Sequence, residues 1–227
     1  MKWLNLQLCG KKNIVYNTTS ETYIPKDLKT TIDITNNKLF IYNNEIGNNT
    51  DDILNAIKIA VKEKQVKMVI LDNLMSMNLS TYGNDKYDIQ TKFVTDLSNL
   101  AKKLEIHIHF VCHPRKSTSF LRKNDISGTA DLTNLADNVF IVHRVNTDFK
   151  NQIRELYHLK KDSQLYKEFC TYSNMIEICK NREHGVQDIL IGQFFEEETK
   201  RFKNSKDEQK TYFEDGKKLI NICNSLF

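Results

Sequence analysis

Nowhere in the 227 residues is there a GxxxxGK followed by serine or threonine. The nearest approach, "CGKKN" at Cys9–Asn13, has the Gly-Lys pair but lacks the upstream glycine, the hydroxyl residue and a preceding apolar strand. The phosphate-wrapping loop that depends on those glycines is therefore missing from these residues. Cys-x-x-Cys is missing too. The five cysteines, Cys9, Cys112, Cys170, Cys179 and Cys223, are odd in number and scattered, which indicates neither a disulfide framework nor a zinc knuckle. A reducing, intracellular compartment follows as the simple expectation. No apolar run approaches the ~20 residues of a membrane span. The start, "MKWLNLQLCGKKN", is too short in apolar residues for a secretory signal and carries no arginine-rich transit pattern. The net charge of +4 is too mild to argue for nucleic-acid binding by itself. There is no internal repeat.

What is there is a chain with 40% apolar and 27% charged residues, enough for one sizeable α/β core with a soluble surface. Residues 1–13 read as a short amphipathic helix, 14–38 as irregular loop, and "NKLFIYNNE" (Asn37–Glu45) as a strand. "NNTDDILNAIKIAVKEKQ" predicts a helix capped by Thr50 or Asp51. "VKMVILDNL" follows, a continuous apolar run that suits a parallel strand covered on both faces. A second amphipathic helix spans Asp88–Glu105, then comes the strand "IHIHFVCH", a basic loop, a short helix in "ADLTNLAD" and the strand "NVFIVHR". This alternation predicts a parallel sheet with helices packed on it. Residues 145–174 are expected to form a mobile insertion or an irregular helix. Two strands joined by a turn near Glu183–Gly185 should follow, then a helical tail over 205–227.

Four stretches could carry chemistry. "MVILDNL" puts Asp72 at the C-terminal end of a buried strand, with Asn73 beside it. Open α/β sheets bind ligands at that edge, and a carboxylate there can hold the water shell of a Mg²⁺ ion on phosphates. A plain turn-capping aspartate is the alternative. "HIHFVCHPRK" ends the neighbouring strand in His113, whose imidazole can hydrogen-bond a terminal phosphate; a histidine satisfied by a carbonyl is the bland reading. His107, His109 and His113 share a face by period two, yet no acidic or cysteine partner is near in sequence, so a metal site is disfavoured. The loop "KSTSFLRKNDISGT" offers Arg122, Lys123, Asn124, Ser127 and Gly128 to a phosphate backbone, or else is a solvated surface loop. "CKNR" places Lys180 and Arg182 on one side of a strand tip, where an arginine can stabilise charge at a γ-phosphate of a neighbouring subunit. Pairing with Glu177 or Glu183 is the alternative.

In their order and spacing these stretches resemble the RecA-type core of hexameric replicative DNA helicases. They are most similar to the mitochondrial Twinkle type and the phage primase-helicases, and more distantly similar to DnaB. The "DNL" and "HPRK" strand ends carry the Twinkle likeness, and the resemblance runs from about Asn49 to Phe202. It implies an α/β, RecA-like, mostly parallel twisted sheet flanked by helices, here without its first βα unit. Residues 1–204 would be the partial core and 205–227 a tail. It implies ATP or another NTP with Mg²⁺ as cofactors, and Asp72 as the Mg²⁺-positioning residue with Asn73 and His113 at the nucleotide. His113 would be the phosphate sensor, Arg182 an arginine finger acting in trans, and Lys180 its companion. Lys123, Asn124, Ser127 and Gly128, next to Arg122, would grip single-stranded DNA. Ring self-association, as a hexamer, is implied, with primase as a further partner. The family's catalytic glutamate has no match, and "MKWLNLQLCGKKN" resembles the helix that follows it. The chain alone is therefore expected to hydrolyse ATP poorly. A non-catalytic module that binds single strands or docks on a complete helicase is the second expectation. A recombinase-type or clock-type ATPase is a third, disfavoured by the "HPRK" strand end.

Overall fold

The computed structural model describes residues 7–8, 14–19, 21–25, 35–43, 45, 47–73, 85–114, 120–127 and 131–208. The N-terminal helix expected over 1–13 lies outside them except for Gln7 and Leu8, which are helical. Of the expected tail, only 205–208 are described.

The stretch expected to be irregular contains a small antiparallel hairpin, β1 (Ile14–Asn17) and β2 (Thr22–Pro25). The strand expected over Asn37–Glu45 is not one. Leu39, Phe40, Ile41 and Tyr42 form exposed coil, with no ladder partner among the described residues to satisfy a strand's amides. Helix α1 (Thr50–Lys64) begins one residue earlier than its predicted cap: the Asn49 side chain accepts from the Asp52 amide at 2.9 Å. Asp51 and Asp52 in the first turn and Lys62 and Lys64 in the last complement the helix dipole. Gln65 then stops it in the left-handed conformation.

Strand β3 (Met68–Asp72), helix α2 (Asp85–Leu104) and strand β4 (His107–Val111) follow as predicted, and β3 and β4 pair in parallel. Ile53 and Ile57 of α1 meet Phe93, Val94, Leu97 and Leu100 of α2 in one buried cluster. Val69, Leu71, Ile108 and Phe110 of the strands pack against it. Phe93 and Phe110 touch edge to face, with centroids 6.4 Å apart. The expectation of cover on both faces is corrected here. Burial alternates along each strand, and Met68, Ile70, His107 and His109 face outward. Among the described residues, α1 and α2 cover one face only.

Short helix α3 (Asp131–Leu135) leads into β5 (Asn138–Arg144). β5 does not extend the parallel pair. It runs antiparallel to β6 (Asn174–Asn181), which pairs with β7 (Ile189–Glu196), which pairs with β8 (Arg201–Lys203). The reason lies in residues 145–174, which are not an irregular insertion but two capped helices. Asn146 caps α4 (Thr147–Leu156) and Ser163 caps α5 (Gln164–Thr171). The helix pair returns the chain to the end of β5 it left, where the Val145 amide donates to the Ser173 carbonyl at 2.9 Å. Phe149 and Ile153 of α4 bury with Phe120 and Met175 on one face of this sheet. The opposite face carries two apolar rows in register, Phe140–Ile178–Ile189 and Val142–Ile176–Ile191.

Candidate functional site

The C-terminal ends of β3 and β4 lie side by side because the two strands are parallel and in register, Asp72 opposite Val111. Asp72 is exposed at the tip. Beyond it, the Asn73 side-chain amide donates to His113 Nε2 at 2.9 Å. An imidazole that accepts at Nε2 carries its proton on Nδ1. Asp72, Asn73 and His113 are thus brought to one edge, as the sequence suggests. Three ligand types meet there: a carboxylate open to solvent, an amide and a neutral imidazole. Such a set can take up a hydrated divalent cation and the oxygen of an anion. His107 and His109 touch each other ring to ring, 4.5 Å between centroids, on the outward face of β4. No cluster of three metal-ligating side chains occurs among the described residues.

The loop after β4 comes back to the same edge. Pro114 bridges to Ile126, and the Ser127 amide donates to the His113 carbonyl at 3.0 Å. Between these points Lys123–Asp125 make one 3-10 turn, in which the Arg122 amide donates to Asp125 Oδ2 at 2.6 Å. Ile126 packs against both the α1–α2 cluster and the cluster of Val139, Ile141 and Cys179, so it joins the two sheets' cores. Lys123 and Asn124 sit at the turn; Gly128 lies outside the described residues.

Lys180 and Arg182 do not reach outward. Lys180 Nζ donates to the Thr133 and Asn134 carbonyls at 3.0 and 2.9 Å. Arg182 donates to Asp137 Oδ1 at 2.6 Å and to the Asn134 carbonyl at 3.0 Å. Both cations therefore close the C-terminal end of α3, whose last carbonyls have no helical partner. The pairings with Glu177 or Glu183 considered from sequence are replaced by these. Burial, and then the charges of Arg182 and Lys123, hold the Lys180 amine below the usual lysine range, while Asp137 pulls the other way. Lys123 thus lies within electrostatic reach of the β6 tip.

Sequence reasoning missed one constellation. Under the loop, His143 of β5 and Glu177 of β6 are both buried and meet at 2.7 Å, the carboxylate accepting from Nε2. Phe120 stacks on His143, centroids 4.4 Å apart, and its amide donates to the Gln152 side chain. Arg122 lies over the Phe120 ring at 4.6 Å and stands 3.8 Å from the other Glu177 oxygen. A hollow of about 360 Å³ opens beside them, lined by Phe120, Arg122, Gln152, Glu155 and Leu156. Burial, then Glu177 and Asp188, push the nearby Tyr157 phenol up, against the pull of Arg122. The alternation along "NVFIVHR" and "NMIEIC" puts His143 and Glu177 on inward positions, which is the sequence signal that could have found them.

A family model described as an AAA domain matches residues 22–119, which include Asp72, Asn73 and His113. Among solved structures, the ATPase domain of a helicase aligns with a TM-score of 0.49 and 14% identity, over 70% of this chain and 52% of that one. The chain thus spans about half the length of that domain. No curated protein matches.

Proposed function

We propose that this chain is part of the ATPase core of a replicative-type DNA helicase, akin to the Twinkle and DnaB kind. In the assembled ring, NTP would be hydrolysed between subunits to drive translocation on single-stranded DNA. The observation that carries this reading is the double junction at His113. Its side chain meets Asn73 at the end of β3, and its carbonyl holds Ser127 of the basic loop. A change at the strand edge is thereby transmitted to the loop through two hydrogen bonds and no flexible linker. The AAA-domain match over 22–119 supports assigning the edge to nucleotide.

In this reading Asp72 orients Mg²⁺ through its water shell, Asn73 fixes the His113 ring, and His113 contacts the terminal phosphate. Bound Mg²⁺ would supply neutralisation of the phosphate charge. Arg122, Lys123, Asn124 and Ser127, with Gly128, contact the backbone of the single strand. Arg182 and Lys180 belong to the neighbouring subunit's nucleotide only if they release α3.

That last condition favours a second reading, a non-catalytic module that binds single strands or docks on a complete helicase. All the donors printed for Lys180 and Arg182 serve Thr133, Asn134 and Asp137 of the same chain.

One experiment tests both. The 227-residue chain is assayed for single-strand binding by anisotropy across a salt series, and for ATP turnover with and without DNA. Salt-sensitive, sequence-independent binding is expected. DNA-stimulated turnover by the chain alone would overturn the expectation that it hydrolyses ATP poorly. Binding without turnover, when a partner supplying the phosphate loop restores none, supports the second reading. No single-strand binding at low salt would sink both.

A further inference from the structure

Arg122 is the loop's most exposed arginine candidate for a phosphate, yet in the free chain it faces inward. Its guanidinium lies over Phe120 and points a nitrogen toward Glu177, which is buried. The separation of 3.8 Å is too long for a hydrogen bond. The Arg122 side chain is 47% exposed, against 5% for Glu177. Such a contact is weak enough to be exchanged for a better one. The second Glu177 oxygen is held tightly by His143, so the carboxylate stays in place whether or not Arg122 does.

We infer that Glu177 is an internal competitor for nucleic-acid phosphate. It holds Arg122 inward in the free chain, and a single strand must draw Arg122 away from it to gain that contact. The inference rests on the reading of residues 120–127 as the single-strand loop. Glu177 is then a positioning residue, which acts on the ligand only through Arg122. His143 fixes the Glu177 carboxylate, and Phe120, stacked on His143, gives the guanidinium its second support. The other charged or titratable groups that face this cluster are Tyr157 and Asp188, with Glu155 at the rim of the hollow. A phosphate offers Arg122 two good acceptors where Glu177 offers one distant oxygen, so the exchange favours the ligand.

The test is a double-mutant cycle read by anisotropy of a labelled oligo-dT across a KCl series, with the full chain. Glu177→Gln should tighten binding by up to about fivefold, the size expected for loss of a weak, half-exposed tether. Arg122→Ala should weaken it and make the salt slope shallower by about 0.7, one phosphate contact on a single strand. In the Arg122→Ala background, Glu177→Gln should change nothing. A gain from Glu177→Gln that persists without Arg122 would overturn the inference, because it would show a general charge effect. So would an unchanged affinity. Should Glu177→Gln fail to fold, an unaltered salt slope for Arg122→Ala overturns it alone. Absence of single-strand binding by the unmodified chain would instead reject the functional reading on which it rests.

Discussion

The Asn73 amide donates to His113 Nε2 across 2.9 Å, although 40 positions separate the two residues. The bond ties the ends of two parallel strands beyond their last ladder pair. It is partly exposed, so its net worth is about 0.5–1.5 kcal/mol or less. A double-mutant cycle with Asn73→Ala and His113→Ala, followed by urea unfolding, should give a coupling in that range. Nitrogen-resolved NMR should find the His113 proton on Nδ1. A proton on Nε2 would show the amide turned the other way, with its oxygen toward the ring.

Ile153 and Ile70 are both isoleucines in regular elements, but one is fully buried and the other is 65% exposed. Ile153→Ala removes atoms from the cluster of Phe120, Phe149 and Met175 and should cost about 2–5 kcal/mol. Ile70→Ala should fall within about 0.5 kcal/mol in the isolated chain. Urea midpoints decide between them. A large cost at Ile70 would mean that the outward face of β3 is covered in solution.

Two thiols make stability fall at high pH. Burial pushes Cys112 up to about 11 and Cys179 up to about 12, the latter with help from Glu177 and Asp188, against an ordinary value of 9.0. The folded chain therefore keeps thiol protons that the unfolded chain gives up. Their contribution is whole below pH 9 and is lost as pH rises through the folded values. The urea midpoint should drop between pH 9 and 11, and a Cys112→Ala, Cys179→Ala variant should drop less. An equal drop in that variant would assign the effect to other groups.

Two glycines fail for different reasons when replaced. Gly185 sits in the β6–β7 turn at φ +67, with nothing near an added methyl group, so Gly185→Ala should cost only the left-handed penalty, about 1 kcal/mol. Gly192 of β7 lies under the Tyr172 ring, which an added methyl would strike. Gly192→Ala should cost about 1–3 kcal/mol through overpacking. Adding Tyr172→Ala should remove most of that overpacking cost, measured as the difference between the Gly192 pair of variants. An undiminished difference would place the strain elsewhere.

Much of this was legible in the chain itself. The 3.6-residue period of "DDILNAIKIAV" and "DIQTKFVTDLSNLA" fixed α1 and α2, because burial of one stripe is a local demand on each helix. The apolar runs ending in Asp72 and His113 located the two strand tips. Parallel pairing then had to bring those tips to one edge. The helices of 145–174 escaped notice because their apolar stripes are short, two or three residues each, and their Asn146 and Ser163 caps look like loop residues until a helix is seen behind them.

Tertiary structure alone decided the rest. That Lys180 and Arg182 close α3 depends on carbonyls more than 40 positions away, and carbonyls have no signature in sequence. That Glu177 meets His143 depends on β5 pairing antiparallel with β6, in a register set by a bulge at Val139–Phe140. Alternation says which residues face inward, and only the pairing of strands says which of them meet.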